Sequence, residues 1–140
     1  MWEEPGGGLA AVRIIVGLLF LAHGLDIVTA GKQRTIDFFA AYKVPMASIS
    51  APLAGVAQLL SGLAMIVGFG AQIGAIVCLG VMVGAIAYVH GRFGFPNINI
   101  TGQNPDGSPV MGMPGYEFNV ALIAGLLAVA IGGPGEWAIA

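Results

Sequence analysis

The chain has 140 residues, 57% of them hydrophobic and only 9% charged, with a formal charge of −2 and a mean hydropathy of +0.89. An ordinary soluble domain carries about 25% charged residues, so this composition fits a protein that has the bilayer as its solvent. Five Lys or Arg in all exclude the basic patch that nucleic-acid binding requires, and the length supports one domain, 1–140, with no room for a separate soluble catalytic module.

The first apolar run covers residues 9–28, close to the roughly 20 helical residues that cross a hydrocarbon core of about 30 Å. Glu3 and Glu4 precede it and Gly24-Leu25-Asp26 lies at its end, which is not the pattern of a cleaved signal peptide, so a retained helix is expected. Arg13 sits near its start, close enough to that interface to snorkel. The segment that follows, residues 33–44, is too polar to cross. Ile36, Phe39, Ala40 and Lys43 share one helical face with Phe38 and Tyr42 beside it, the pattern of an amphipathic helix lying on the membrane, and Pro45 is expected to end it.

A second apolar run spans residues 47–69, and Pro52 at a first helical position, capped by Ser50 or Ala51, would start the helix a turn later than hydrophobicity suggests. Gln58 within it is expected to tie helices together. Gly68-Phe69-Gly70 then permits only a tight antiparallel connection to a third run, residues 71–90. Gly70-x-x-x-Gly74 and Gly80-x-x-x-Gly84 are spaced for close helix packing in lipid, and Cys78, alone of its kind, reads as core. Residues 91–115 are rich in Gly, Pro and Asn; Asn104-Pro105-Asp106-Gly107 is a turn between short extended stretches, which predicts a hairpin-like lid. The Asn99-Ile100-Thr101 sequon there is as well explained by chance. A last, shorter run covers residues 117–132. The expected fold is therefore all-α: an antiparallel bundle of four transmembrane helices, with an interfacial helix after the first and a long loop between the third and fourth.

Antiparallel threading puts His23, Asp26, His90 and Glu117 on one side of the membrane, with Asn119 half a turn deeper and Tyr116 and Arg92 at the rim; Arg13 and Gln58 stand apart from them, as structural polar residues. Polar groups at membrane depth are functional candidates because they are costly to bury without partners. The three-residue spacing of His23 and Asp26 permits a carboxylate–imidazole pair. A polar interfacial helix end explains the same residues without function. A quinone head group needs hydrogen-bond partners, a proton source and an apolar slot, which His23, His90 and Glu117, with Gln58 and Asn119, could supply; a bound lipid is the alternative occupant. No close-spaced metal ligands are present, and no haem-attachment motif, Fe–S cysteine set or nucleotide fingerprint.

Arg13-Ile-Ile-Val-Gly-Leu-Leu-Phe-Leu-Ala-His23-Gly24, Thr35-Ile-Asp-Phe-Phe39 with Val44-Pro45-Met46, His90, Tyr116-Glu117-Phe118-Asn119 and the final Gly133-Pro134-Gly135-Glu136-Trp137 resemble the DoxX family over nearly the whole chain. The resemblance implies a multi-pass protein of a prokaryotic cytoplasmic membrane. Relatives include a subunit of a thiosulfate:quinone oxidoreductase and proteins of thiol and oxidative-stress complexes, while many have no assigned activity. Two positions depart from the pattern: Gln58-Leu-Leu-Ser61-Gly62 stands where the family commonly has a glutamate before paired glycines, and Ala71-Gln72 where a Thr-Arg pair is common. A glutamine cannot act as acid or base, which weakens an enzymatic reading.

Three functions follow. The leading expectation is a non-catalytic accessory subunit that packs through its glycine-lined helices and lid against a larger respiratory or photosynthetic electron-transfer complex. The second is a quinone-interacting subunit of a DoxX-type oxidoreductase, with protons passed by Glu117 or a histidine. The third is a small-molecule or lipid transporter. Lys32, Arg34, Lys43 and Arg92 lie on the polar side and only Arg13 towards the other, which by the positive-inside rule turns the lid to the cytoplasm.

Overall fold

A computed structural model describes residues 5–139; Glu3 and Glu4 lie outside them. Five α-helices follow one another: α1 Pro5–Val28, α2 Lys32–Ala41, α3 Ala47–Val67, α4 Ala71–Tyr88 and α5 Glu117–Gly132. A two-stranded hairpin, β1 Ile100–Gln103 and β2 Pro109–Met111, stands between α4 and α5. α1, α3 and α4 are each long and apolar enough to cross a membrane, whereas α5 is apolar but has 16 residues. The described residues are thus mostly helical, as expected, with a small antiparallel sheet in the lid.

The four long helices pack in a ring, α3 between α1 and α4 and α5 between α4 and α1. Asn119 meets Met82, and the Ala130 carbonyl meets Gln72, so α5 runs antiparallel to α4 from one end of the bundle to the other. The interior holds Val16, Phe20, Met65, Cys78, Met82, Leu126 and Val129. Arg13, Gln58, Ser61 and Asn119 are buried, while Leu18, Leu53, Leu60, Ile73, Ile76 and Ile131 face outward. Polar groups inside and large aliphatic groups outside are what a lipid solvent requires and what water forbids.

Close packing falls on glycines other than most of those singled out by sequence. Gly17 and Gly24 of α1 face Gly62 and Gly55 of α3, each pair seven residues apart in its helix. A Cβ on Gly24 would lie 2.7 Å from the Gly55 carbonyl oxygen, and one on Gly62 would lie 2.7 Å from that of Gly17. Of the expected set only Gly74 serves as a helix contact, with its position 3.0 Å from the Ser61 carbonyl; Gly80 and Gly84 meet nothing within 4 Å. Gly70 instead takes a left-handed φ of 69° in the α3–α4 turn, beside Gly68 at 88°, a backbone that only glycine adopts without strain.

Two boundaries differ from expectation. α3 begins at Ala47, ahead of Pro52, because the Met46 carbonyl accepts from the amides of both Ile49 and Ser50 at 2.9 and 2.8 Å and starts the helix there. Ser50 and Ala51 therefore lie within the helix rather than capping it, and Pro52 omits one intrahelical bond near its start. α2 stops at Ala41, three residues short of the expected end, since Lys43 adopts a left-handed φ of 61° before Pro45 is reached.

The lid is tied together along its length. Gly112 donates to Asn99, Gly115 to Pro96, Tyr116 to Gly94 and Glu117 to Phe95, so the strand-like pairing continues beyond β1 and β2 down to the head of α5. The sequon residue Asn99 uses its amide on the Phe93 and Met113 carbonyls. At the tip, the hydroxyl and backbone amide of Ser108 both donate to Asp106 and hold its carboxyl below the usual carboxylate range. A depressed carboxylate stabilises the turn above its unfolded pKa and loses that contribution as pH falls through its folded value. The protection factor of the Ser108 amide against hydrogen exchange is expected to fall in acid while that of the Gly112 amide holds; an equal change in the two would show that the carboxylate does not hold the turn.

Candidate functional site

α1, α3, α4 and α5 frame a cleft of about 210 Å³ at the lid end of the bundle, lined by His23, Gln58, Met82, His90 and Asn119, with Leu19, Phe20, Phe118 and Leu122 as apolar walls and Pro114 and Gly115 of the lid above. A wider compartment of about 470 Å³ adjoins it beneath α2, sharing His23, Gln58, Met82, Ala85 and His90 and adding Ile27, Phe38, Phe39, Val81 and Tyr88. Asp26 and Arg34 stand at the rim of this second space. Both spaces have mainly apolar walls, and the polar side chains they share are His23, Gln58 and His90.

Each polar side chain has a definite setting. His23 Nδ1 lies 2.7 Å from the Leu19 carbonyl of its own helix, and His90 Nδ1 lies 2.8 Å from the Pro114 carbonyl, a bond that also fastens the lid to the end of α4. Gln58 is 7% exposed and has no hydrogen-bond partner among the described residues, although it borders both spaces. Asn119 is equally enclosed and directs its amide to the Met82 sulfur at 3.6 Å.

Of the four candidate catalytic residues, the two histidines converge. Asp26 does not pair with His23: its carboxylate accepts from Arg34 Nη2 at 2.6 Å, an exposed ion pair that helps to set α2 on α1 and contributes about 0.2–1 kcal/mol. Glu117 points the other way and accepts the Asn97 amide at 2.8 Å, bordering a shallow groove with Pro96, Ile98 and Phe118 outside the cleft. Gln58 does not stand apart from the polar cluster, because it faces the same two spaces as His23 and His90. Arg92 stacks on Tyr42 at 5.2 Å, with Phe93 and Phe38 flanking that ring, and so joins the lid root to α2. Met82 lines both spaces and went unmarked in the sequence, where a methionine in an apolar run carries no signal. Among the described residues no three His, Cys, Asp or Glu side chains gather closely enough to hold a metal ion.

The opposite end carries the second polar constellation. Arg13 does not snorkel; it is fully buried, and its guanidinium donates to five carbonyls, those of Met65 and Ile66 at the end of α3 and of Pro134, Glu136 and Trp137 in the C-terminal segment, at 2.5–3.2 Å. All five guanidinium N–H groups are used. The segment after α5 is further tied by Glu136 donating to Gly6 and Ile139 to Val67.

The DoxX family pattern matches residues 8–91, which take in α1 to α4 and include His23, Gln58 and His90. The chain belongs to the DoxX family. It is also similar to the uncharacterized membrane protein Rv3486 of Mycobacterium tuberculosis, with 25% identity over 143 positions that cover 97% of this chain and 81% of that relative. No solved structure matches. In this DoxX protein Asn119 and the lid lie beyond the residues matched by the family pattern, while His23, Gln58, Met82 and His90 lie within them.

Proposed function

We propose that this DoxX protein binds the head group of a quinone-type ring in the narrow cleft, as the quinone-interacting subunit of a membrane oxidoreductase. The observation that supports this most is that Gln58, only 7% exposed, lines both the cleft and the wider space beneath α2 together with His23 and His90. Hydrogen-bonding groups set among apolar walls suit a ring with a hydrocarbon tail. Proton exchange would fall to His23 or His90, since Glu117 and Asp26 are engaged elsewhere.

In this reading the protein sits in a prokaryotic cytoplasmic membrane and α5 serves as the fourth span. Sixteen residues rise only about 24 Å, and the lid at one end and the Arg13-bound segment at the other make up the remaining depth. The accessory-subunit reading is supported by a different feature: Ile98, Ile100 and Met111 of the lid are exposed apolar side chains on a polar loop, the kind of surface that a neighbouring subunit covers.

Binding of decylubiquinol and decylubiquinone to the protein in lipid nanodiscs tests the head-group reading. Saturable binding of at least one form is expected, weakened about tenfold or more by Gln58→Ala, which is about 1.4 kcal/mol, and unchanged within twofold by Glu117→Ala. Absence of saturable binding of either form, or loss through Glu117→Ala alone, would overturn it.

A further inference from the structure

We infer that the cleft selects ligands that donate hydrogen bonds, so that it holds the reduced, dihydroxy form of the ring more tightly than the oxidised dione. This rests on the head-group reading above and adds to it the redox state that the site prefers.

The selection comes from two imidazoles that each turn Nδ1 to a backbone carbonyl, the exposed His23 within its own helix and the half-buried His90 to the lid. A carbonyl oxygen can only accept, so the ring nitrogens that face one must carry hydrogen: His23 Nδ1 towards Leu19 at 2.7 Å, and His90 Nδ1 towards Pro114 at 2.8 Å. A neutral imidazole has one N–H, and each ring is therefore left with a lone pair on Nε2. Both rings line the same space. The nearest carboxylate on α1, Asp26, is held by Arg34, and no charged side chain lines the narrow cleft.

A dihydroxy ring presents O–H donors to such lone pairs, whereas a dione presents further lone pairs and gains nothing from them without a proton or a bridging water. Gln58 does not discriminate, because its amide both donates and accepts. The preference belongs to the two histidines.

The test compares decylubiquinol, decylubiquinone and the 1,4-dimethyl ether of the reduced ring, each titrated anaerobically at pH 8 into the full chain in nanodiscs. The diol is expected to bind at least about tenfold more tightly than the dione, which raises the potential of the bound two-electron couple by about 30 mV; the ether, which has no O–H, is expected to bind no better than the dione. His23→Ala should weaken diol binding more than dione binding and so narrow the diol-to-dione ratio several-fold. His90→Gln serves as the second variant, with the wild-type ratio carrying the test if either variant fails to fold. A dione that binds as tightly as the diol, or an ether that matches it, overturns the selection and leaves the head-group reading standing. Failure of both diol and dione to bind overturns the two together.

Discussion

Replacement of Arg13 by alanine destabilises the protein by at least about 3 kcal/mol, even at the roughly 0.6 kcal/mol average found for hydrogen bonds in membrane proteins. The guanidinium is fully buried and serves five carbonyls of α3 and the C-terminal segment. Its loss leaves those acceptors without donors and opens a void at the point where α1, α3 and the segment after α5 meet. Arg13→Lys should fall between, since an ammonium carries three donors on a point charge and cannot reproduce the planar fork. Equilibrium unfolding in mixed micelles checks the order wild type, lysine, alanine, and cleavage at Glu136 by a glutamate-specific protease should accelerate in the same order. A lysine variant as stable as wild type would show that charge alone, and not the fork, holds this end.

The second large effect is expected from a single methyl group. Gly24→Ala sets a Cβ 2.7 Å from the Gly55 carbonyl oxygen and the Leu59 Cα, a separation that backbone atoms cannot absorb unless α1 and α3 move apart. Overpacking of this kind costs about 1–3 kcal/mol. Gly62→Ala should behave alike, with its Cβ 2.7 Å from the Gly17 carbonyl oxygen. Gly80→Ala meets nothing within 4 Å and should gain up to about 1 kcal/mol from the reduced backbone freedom of alanine in a helix. Thermal unfolding of the three variants in one detergent separates them; equal loss at Gly24 and Gly80 would contradict the α1–α3 seam.

Hydrophobicity made the helices legible, and the Gly-rich polar stretch with its Asn104-Pro105-Asp106-Gly107 turn made the hairpin lid legible, because both are properties of contiguous residues. Rotation of a helix about its axis is not. Gly17 and Gly24, seven apart and facing Gly55 and Gly62, again seven apart, carry the α1–α3 seam, and that repeat across two runs was a usable signal that the shorter Gly-x-x-x-Gly pattern obscured. Threading placed His23 and His90 only on the same side of the membrane, and helix facing brings both to the lining of one cleft; the spacing of His23 and Asp26 said nothing of Arg34, eight residues beyond Asp26, which the turn at Gly31 returns to the carboxylate. Gln58 looked isolated because depth along α3 was read without its facing. Glu117 looked central for the opposite reason: the lid folds back to give it the Asn97 amide, a long-range contact that nothing local announces. Arg13 near a helix start suggested snorkelling, and only the returning Gly133-Pro134-Gly135 segment explains why it turns inward.

The central claim is that His23, Gln58, His90 and Asn119 form one head-group site open beneath α2. Photolabelling of the reconstituted protein with an azido-substituted benzoquinone bearing a decyl tail, followed by peptide mapping, tests it most directly. Labels are expected on the wall shared by the two spaces, within the stretch from Val81 to His90 of α4 and its exit or around His23 of α1, and are expected to disappear when excess decylubiquinol is present. Labels confined to Ile98, Phe118 and Glu117 on the outer groove, or labels that excess ligand does not displace, would contradict it.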